Sequence, residues 1–256
     1  KYKTQNVISI IGLAVGLLCF CVCIYCSRFV ESTDHCFANH DRIAELNLYD
    51  GKADRYFSGS PIPLAEELRT WALGETEAIS SVTYPRERPY YVELSPEKTL
   101  PYELETIEID TCYNKIFTPE MVAGHWKMAS QSLNSVILSQ SMAIKIFGNA
   151  ESAIGKHMTL MRRLNTSPES TPKTGGIVYT IQAVMKDIPL NNSLDFMQNI
   201  DMLTVNDSEG LLQSPKRYNM TGANTYVLLS PQTTCTDLEK QFSKRDYTYT
   251  LYGEAY

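Results

Sequence analysis

Beyond Arg28 the sequence has no second apolar run long enough to cross a membrane, no basic excess, and no cysteine pair at redox or metal spacing. Each absence removes a class of function. Residues 1–28 hold Lys1, Lys3 and Arg28 and no acid, so they carry +3; the chain as a whole carries −6, which leaves −9 on residues 29–256. Such an acidic body repels phosphate, which argues against nucleic acid and anionic headgroups as partners. Of the seven cysteines, Cys19, Cys21, Cys23 and Cys26 sit inside the N-terminal apolar run, where thiols act as small apolar side chains. Cys23 and Cys26 have C-x-x-C spacing, but in lipid that spacing serves packing. Cys36, Cys112 and Cys235 remain, an odd number; no disulfide framework follows, and nothing in their spacing supports a Cys112–Cys235 bridge.

Catalytic motifs are missing as well. Gly155-Lys156 suggests a phosphate loop, yet Gly148 lies seven residues before Gly155 where the motif needs five, and His157 replaces the Mg²⁺-binding Ser or Thr. No G-x-S-x-G or H-E-x-x-H occurs. His35, Cys36, His40 and Asp41 are close in sequence, but two His five apart do not share a helix face, so they read as solvated surface rather than a metal site. His125, beside Trp126, is a lone His, and Asp195 and Asp201 are carboxylates without an evident partner. Sequons begin at Asn165, Asn191, Asn206 and Asn219 and carry meaning only in a eukaryotic secretory pathway. The reading is a non-enzyme with no cofactor and no metal.

What is present begins with Val7–Cys26, VISIIGLAVGLLCFCVCIYC, twenty residues without a charge, Pro, Asn or Gln. As a helix it is about 30 Å long, the thickness of a bilayer core. Eleven of its residues are Val, Ile, Leu or Phe. At ~0.3–0.6 kcal/mol each near mid-membrane, they favour insertion by roughly 3–7 kcal/mol. A cleavable signal has a shorter apolar region and a small-residue cleavage site, which Ser27-Arg28-Phe29-Val30 does not supply. Residues 1–28 are therefore read as a cytoplasmic flank and a retained transmembrane helix. Lys1 and Lys3 precede the span while Glu31 and Asp34 soon follow Arg28, which places the N-terminus in the cytoplasm and residues 29–256 outside. Gly12 and Gly16 form a G-x-x-x-G with Ser9 and Ala14 nearby, a spacing that lets another helix approach. The other reading is that glycine is simply common in membrane helices. The chain lacks an initiating Met and stops soon after a helix-like stretch, which predicts a piece of a longer protein.

The outer part is long enough for one large or two small domains, and the chain's 43% hydrophobic content and 16 Tyr argue for a folded core. Residues 27–42, with Phe29, Val30, Thr33, Phe37 and Ala38 at roughly helical spacing, read as a helical stalk continuing from the membrane. Strands are predicted at 43–49, 79–84, 90–94, 106–110, 135–139, around 158–161, 177–185, 194–203 and 224–229. Helices are predicted at 64–73, from 139 or 140 to 147, and through 242 from a cap at Thr236 or Asp237. Residues 113–126 form an aromatic-rich connection. Residues 165–176 and 206–220 read as polar loops, and the pattern at 247–252 is short and Tyr/Thr-rich. Strands mixed with helices indicate an α+β fold with helices packed on a sheet.

Several stretches together resemble the extracytoplasmic domain of ABC-transporter permeases of the MacB/FtsX type, particularly those of Bacteroidetes. The resemblance rests on Asn6-Val7-Ile8-Ser9-Ile10-Ile11-Gly12-Leu13-Ala14-Val15-Gly16-Leu17, similar to the family's N-x-x-x-I-x-G-L-A-x-G-L opening. It continues with His40-Asp41-Arg42-Ile43, with Ser135–Ser139 through Phe147-Gly148 and Ile154-Gly155-Lys156, and with Val184–Pro189 followed by Asn192-Ser193. The Cys-rich end of the span and the long 165–176 insertion depart from the pattern. The resemblance implies a porter-like βαβ subdomain built from residues 29–128, which include the stalk, and 191–256, with an inserted mostly-β subdomain at 129–190. It implies a bacterial inner-membrane permease subunit in export or mechanotransmission, with residues 29–256 periplasmic. A separate cytoplasmic ABC ATPase would drive it, within a homodimer or paired permease, with a periplasmic adaptor and membrane lipid as further partners. Gly12 and Gly16 would pack against neighbouring helices, and Phe29, Val30 and Phe37 would lie on the transmitting stalk. The competing reading is a single-pass anchored receptor or adhesin; an anchored enzyme ranks last for want of a constellation.

Overall fold

The computed structural model describes residues 2–51, 53–95, 97–160, 176–194, 199–208, 210–212, 221–244, 250–251 and 254–255. A single helix, α1 (Tyr2–Glu31), carries the apolar run and ends with Arg28 in its last turn, where a cation complements the helix dipole. Its segment Gln5–Glu31 is long and apolar enough to cross a membrane, and none of it is buried within the protein. The helical stalk predicted to residue 42 is not formed. Ser32 and Thr33 donate their hydroxyls to the Phe29 carbonyl, competing with the helix ladder, and Asp34 takes a left-handed φ of 66°. A chain of turns follows, then a short 3₁₀ turn at His40–Arg42.

The strands begin with β1 (Ile43–Leu46) and the small hairpin β2 (Leu48–Asp50) and β3 (Arg55–Phe57), so the strand predicted at 43–49 is broken at Asn47. Next come β4 (Ser60–Pro61), α2 (Leu64–Thr70), β5 (Thr76–Thr83), β6 (Arg86–Ser95) and β7 (Lys98–Ile109). The helix predicted to Leu73 stops at Thr70, and Ala72 turns left-handed with φ 47°. Both β6 and β7 exceed their predicted cores because Pro89, Pro101 and alternating charges disguised a long hairpin, in which Arg86 pairs with Thr106 and Ser95 with Lys98. The aromatic connection proves to contain α3 (Tyr113–Phe117), β8 (Met121–Gly124) and α4 (Trp126–Gln131).

Then follow β9 (Ser135–Ser139), α5 (Gln140–Phe147), β10 (His157–Leu160), β11 (Val178–Met185), β12 (Met202–Val205) and β13 (Thr221–Leu229). Helix α5 starts on the Ser139 side chain, which accepts from the Met142 amide, and stops at Gly148 with φ 85°. The strand predicted at 194–203 lies further along, at 202–205; residues 195–198 fall outside the described residues. So do residues 161–175, covering Arg162, Arg163 and nearly all of the predicted loop, and 213–220. Helix α6 (Cys235–Ser243) is capped by Thr234 rather than Thr236 or Asp237, because Thr234 and Asp237 exchange side-chain bonds with each other's amides. A last hairpin pairs β14 (Thr250–Leu251) with β15 (Glu254–Ala255). Every cysteine is a free thiol, including Cys112 and Cys235.

The main sheet runs β1-β13-β5-β7-β12-β9-β11-β10-β6, and β6 also pairs with β7. Strands β7, β12, β9, β11, β10 and β6 therefore form a closed circuit of ladders, with parallel steps at β12–β7 and β11–β9. One buried cluster takes side chains from all six: Tyr90, Leu104, Val136, Met158, Ile181 and Met202, with Met142 and Ala143 of α5. Strands β5, β13 and β1 extend the sheet beyond the ring. Alternation splits them between two further cores: Val227 and Ile79 face Leu64, Leu68 and Leu238 of α2 and α6, while Tyr226 and Val82 face Phe117 and Phe37.

A buried ionic knot joins β7 to the segment after β12. Glu108 is 4% exposed, and its carboxylate accepts from the Leu211 and Leu212 amides at 2.6 and 2.9 Å. Asp207, also buried, lies 3.7 Å from Arg88. Burial pushes the Glu108 carboxyl up to about 7; the two amides and Arg88 oppose the rise, and Asp207 adds to it. Because the folded value lies above the ordinary 4.5, this group's contribution is complete below pH 4.5 and is lost as pH rises through 7. Melting the chain in detergent between pH 5 and 8.5 should show stability falling between pH 5 and about 7 by up to roughly 3 kcal/mol and levelling above that. Glu108→Gln should flatten that slope; an unchanged slope would remove Glu108 as its source.

Candidate functional site at the helix–domain joint

Where α1 ends, the sequence Ser-Thr-Asp supplies short polar side chains that bind backbone locally instead of extending the helix. The same residues hold the domain. The Asp34 amide donates to the Asn191 carbonyl at 3.1 Å. The Asn191 side-chain amide donates back to the Ser32 carbonyl and hydroxyl at 3.2 and 3.0 Å. The Ser193 amide donates to the Asp34 carboxylate at 2.7 Å, a charge-assisted bond. Asn192 stiffens its own turn, donating to the Pro189 carbonyl and accepting from the Leu194 amide. Two steps upstream, Asp187 accepts from the Ser141 amide in the first turn of α5.

The chain then docks a second time. Phe37 is 5% exposed and meets the Phe117 ring edge-on at 5.3 Å. The Ala38 amide donates to Thr118 Oγ1, and the Asn39 side chain donates to the Lys115 and Ile116 carbonyls, orphans at the end of α3. Arg42 closes the joint with a bond to the Leu229 carbonyl at 2.9 Å and an ion pair to Glu77 at 3.1 Å. Between joint and sheet lies a cavity of about 280 Å³ lined by Phe37, Phe117, Leu194, Asp34, Glu45 and Tyr226.

Of the residues predicted for the stalk, Phe37 is a docking anchor in the core, whereas Phe29 and Val30 are exposed on α1, with Phe29 stacked on Tyr25. Gly12 and Gly16 lie along α1 with no atom within 4 Å of where a Cβ would stand. His35 and His40 pack ring to ring at 4.5 Å, and His40 faces the Phe37 carbonyl and Asp41. Among the described residues no three His, Cys, Asp or Glu side chains group as metal ligands. His125 precedes α4, whose Trp126 stacks on Tyr113. The roles of Asp34, Asn39, Thr118, Asn191 and Ser193 were not read from sequence. The Lys186-Asp187-Ile188-Pro189 and Asn192-Ser193 run stood out only as a strand end, since nothing in one dimension shows that it meets residue 34.

The class of protein is defined by an apolar helix, long enough to cross a membrane, clamped to a mixed sheet with a closed strand circuit. Residues 7–245 match the MacB-like periplasmic core domain, and the chain belongs to that family. It is a membrane protein with a periplasmic segment, part of an ABC-type permease. The fold resembles a domain of a putative permease protein from Porphyromonas gingivalis, at 21% identity and TM-score 0.62, over 82% of this chain and 87% of that one. It also resembles the periplasmic region of MacB from Actinobacillus actinomycetemcomitans, at 16% identity and TM-score 0.50, over 79% and 80% of the two chains. No curated protein sequence matches the chain.

If Asn191 holds the end of α1, Asn191→Ala should raise amide hydrogen exchange at residues 32–38 about five- to tenfold, the equivalent of ~1–1.5 kcal/mol of lost bonding. Exchange in β9 and β11 should stay unchanged. Equal exchange at 32–38 in both proteins would show that the clamp rests on other contacts.

Proposed function

We propose that this chain is a non-catalytic transmission element of an ABC permease, with the N-terminus cytoplasmic and residues 29–256 periplasmic. The observation that carries this reading is the double clamp at residues 32–42, which ties the end of α1 to the Asn191–Ser193 turn, to α3 and to β13. A flexible tether would suffice for an anchored receptor; a clamp passes displacement of the helix into the sheet. ATP would be hydrolysed on a separate cytoplasmic subunit, and the output would reach a periplasmic substrate, adaptor or partner through the domain. We read residues 129–190 as the inserted mostly-β portion and 29–128 with 191–256 as the porter-like portion. The inserted portion supplies β9, β10 and β11, three of the six strands in the closed circuit, so it shares a core with its host.

Within the membrane we assign the contact face of α1 to Gly12 and Gly16. Ser9, Cys19, Cys23 and Cys26 continue the same stripe at alternating steps of three and four, the repeat by which one helix seats along another. The neighbour is another helix of the permease or the paired subunit, with lipid covering the Leu-rich remainder.

Two experiments test these assignments. An ABC ATPase should co-purify with the full-length permease, and Gly16→Leu should reduce that recovery several-fold by disturbing helix packing; undiminished assembly would remove the Gly12/Gly16 face. With the assembled complex, Asp34→Ala combined with Asn191→Ala should leave ATP hydrolysis within about twofold of normal. It should also abolish the ATP-dependent change in hydrogen exchange across β5 and β13. Retention of that change would sink the transmission reading.

A further inference from the structure

The clasp at the end of α1 fixes the height of one exposed apolar residue. In the turn that follows β11, Ile188 packs on the core and Leu194 is buried, but Leu190 is 62% exposed. The turn around it is held still. The Asn192 side chain donates to the Pro189 carbonyl at 2.6 Å, and Asn191 is bonded to Asp34 through its carbonyl and to Ser32 through its side chain. Leu190 is the next residue, so its Cα stands about 3.8 Å from that of Asn191.

That position lies at the membrane surface. The uncharged run ends at Cys26, and Ser32 follows it after roughly 9 Å of rise, at about 1.5 Å per residue. The headgroup layer is about 5–7 Å deep on each side of the hydrocarbon, so the clasp sits just outside it, within a leucine side chain's reach. The helix marks the same level. Tyr25 and Phe29 stack at 6.3 Å and are both exposed, and such rings gather at headgroup height. The Phe29 carbonyl accepts the Ser32 and Thr33 hydroxyls, so the clasp begins within one turn of that ring.

We infer that Leu190 inserts into the lipid headgroup layer, giving the outer domain a membrane contact of its own beside α1. The inference rests on α1 crossing the bilayer with the domain held at its Glu31 end. The acidic body does not prevent the approach, because the carboxylates of this turn and its partners are engaged. Asp34 accepts the Ser193 amide, Asp187 accepts the Ser141 amide, and Glu120 pairs with Lys186. The contact is apolar and needs no anionic lipid. With α1 alone the domain could lean about the joint; a second support at Leu190 opposes leaning toward that side.

The test uses the full-length permease in nanodiscs of phosphatidylethanolamine, with its native cysteines replaced. Leu190→Cys, Phe29→Cys and Val178→Cys are each labelled with an environment-sensitive dye. Val178 is the control: it is exposed and begins β11, whose other end, Met185, leads into the turn roughly 23 Å away. Lipids spin-labelled near the glycerol should quench the dye at 190 at least half as strongly as at 29, and at least fivefold more than at 178. Adding phosphatidylglycerol should leave these ratios unchanged. Quenching at 190 no stronger than at 178, with quenching at 29 intact, would overturn this inference and leave the span in place. Shielding of 190 from a water-soluble quencher without quenching by lipid would also overturn it, since another part of the permease would then cover Leu190. Dependence on phosphatidylglycerol would overturn the apolar contact. Loss of quenching at 29 as well would overturn the span and this inference with it.

Discussion

The structure depends on a short reciprocal clasp: the Asn191 carbonyl takes the Asp34 amide while its side chain holds Ser32, and the Asp34 carboxylate takes the Ser193 amide. Every partner in it is short, so the clasp sets a distance as well as an attraction. A longer side chain at 34 or 191 would carry the same charge or amide and lose that geometry. The left-handed Asp34 turns the chain out of α1 and presents its carboxylate to the 191–193 turn, a conformation that Asp tolerates better than most residues. Termination of the membrane helix and attachment of the domain thus share two residues, Ser32 and Asp34.

Behind the clasp, stiffness comes from the closed strand circuit. A sheet with free edges can shear along them, whereas a ring filled by one side-chain cluster from all its strands resists deformation at every ladder at once. Strands β1, β13 and β5 form a wing attached to this ring through β7, which pairs with β5 only at Ile109 against Val82. Helices α2 and α6 cover one face of the wing and α3 with Phe37 the other. The joint touches the wing through Arg42, and the segment that carries its other half follows β11 and holds the first turn of α5 through Asp187.

Strong local signals made much of the fold legible. Ser135–Ser139 is legible to the residue and the start of α5 to within one, because a strand with an apolar centre, a Ser cap and a C-terminal Gly agree with one another. β11 and β13 were found from their β-branched and aromatic runs. The failures share a cause. Long hairpin β6–β7 carries Pro and charge on positions that face outward, and only its partner reveals it as strand. The stalk has helical spacing, yet Phe37 is apolar for a docking contact and Ser32, Thr33 and Asp34 end the helix. At the site, Phe37 was found as an apolar position, while Asn191 and Ser193 were hidden because their partners are distant in sequence. The family likeness pointed at their segment without giving it a role.

That distance has a consequence for biosynthesis. Asn191 and Ser32 stand 159 residues apart, and Arg42 reaches a carbonyl 187 residues further on. The apolar helix is made before the domain and can enter the bilayer early, but its docking surface does not exist until residues 191–193 have been made. Until β12 and β13 arrive, the ring lacks a strand and β1 lacks its ladder to β13, so the nascent segment waits with apolar faces uncovered. Folding of this domain therefore waits on β12 and β13, and the clasp at Ser32–Asp34 can form only once the 191–193 turn has been brought to meet it.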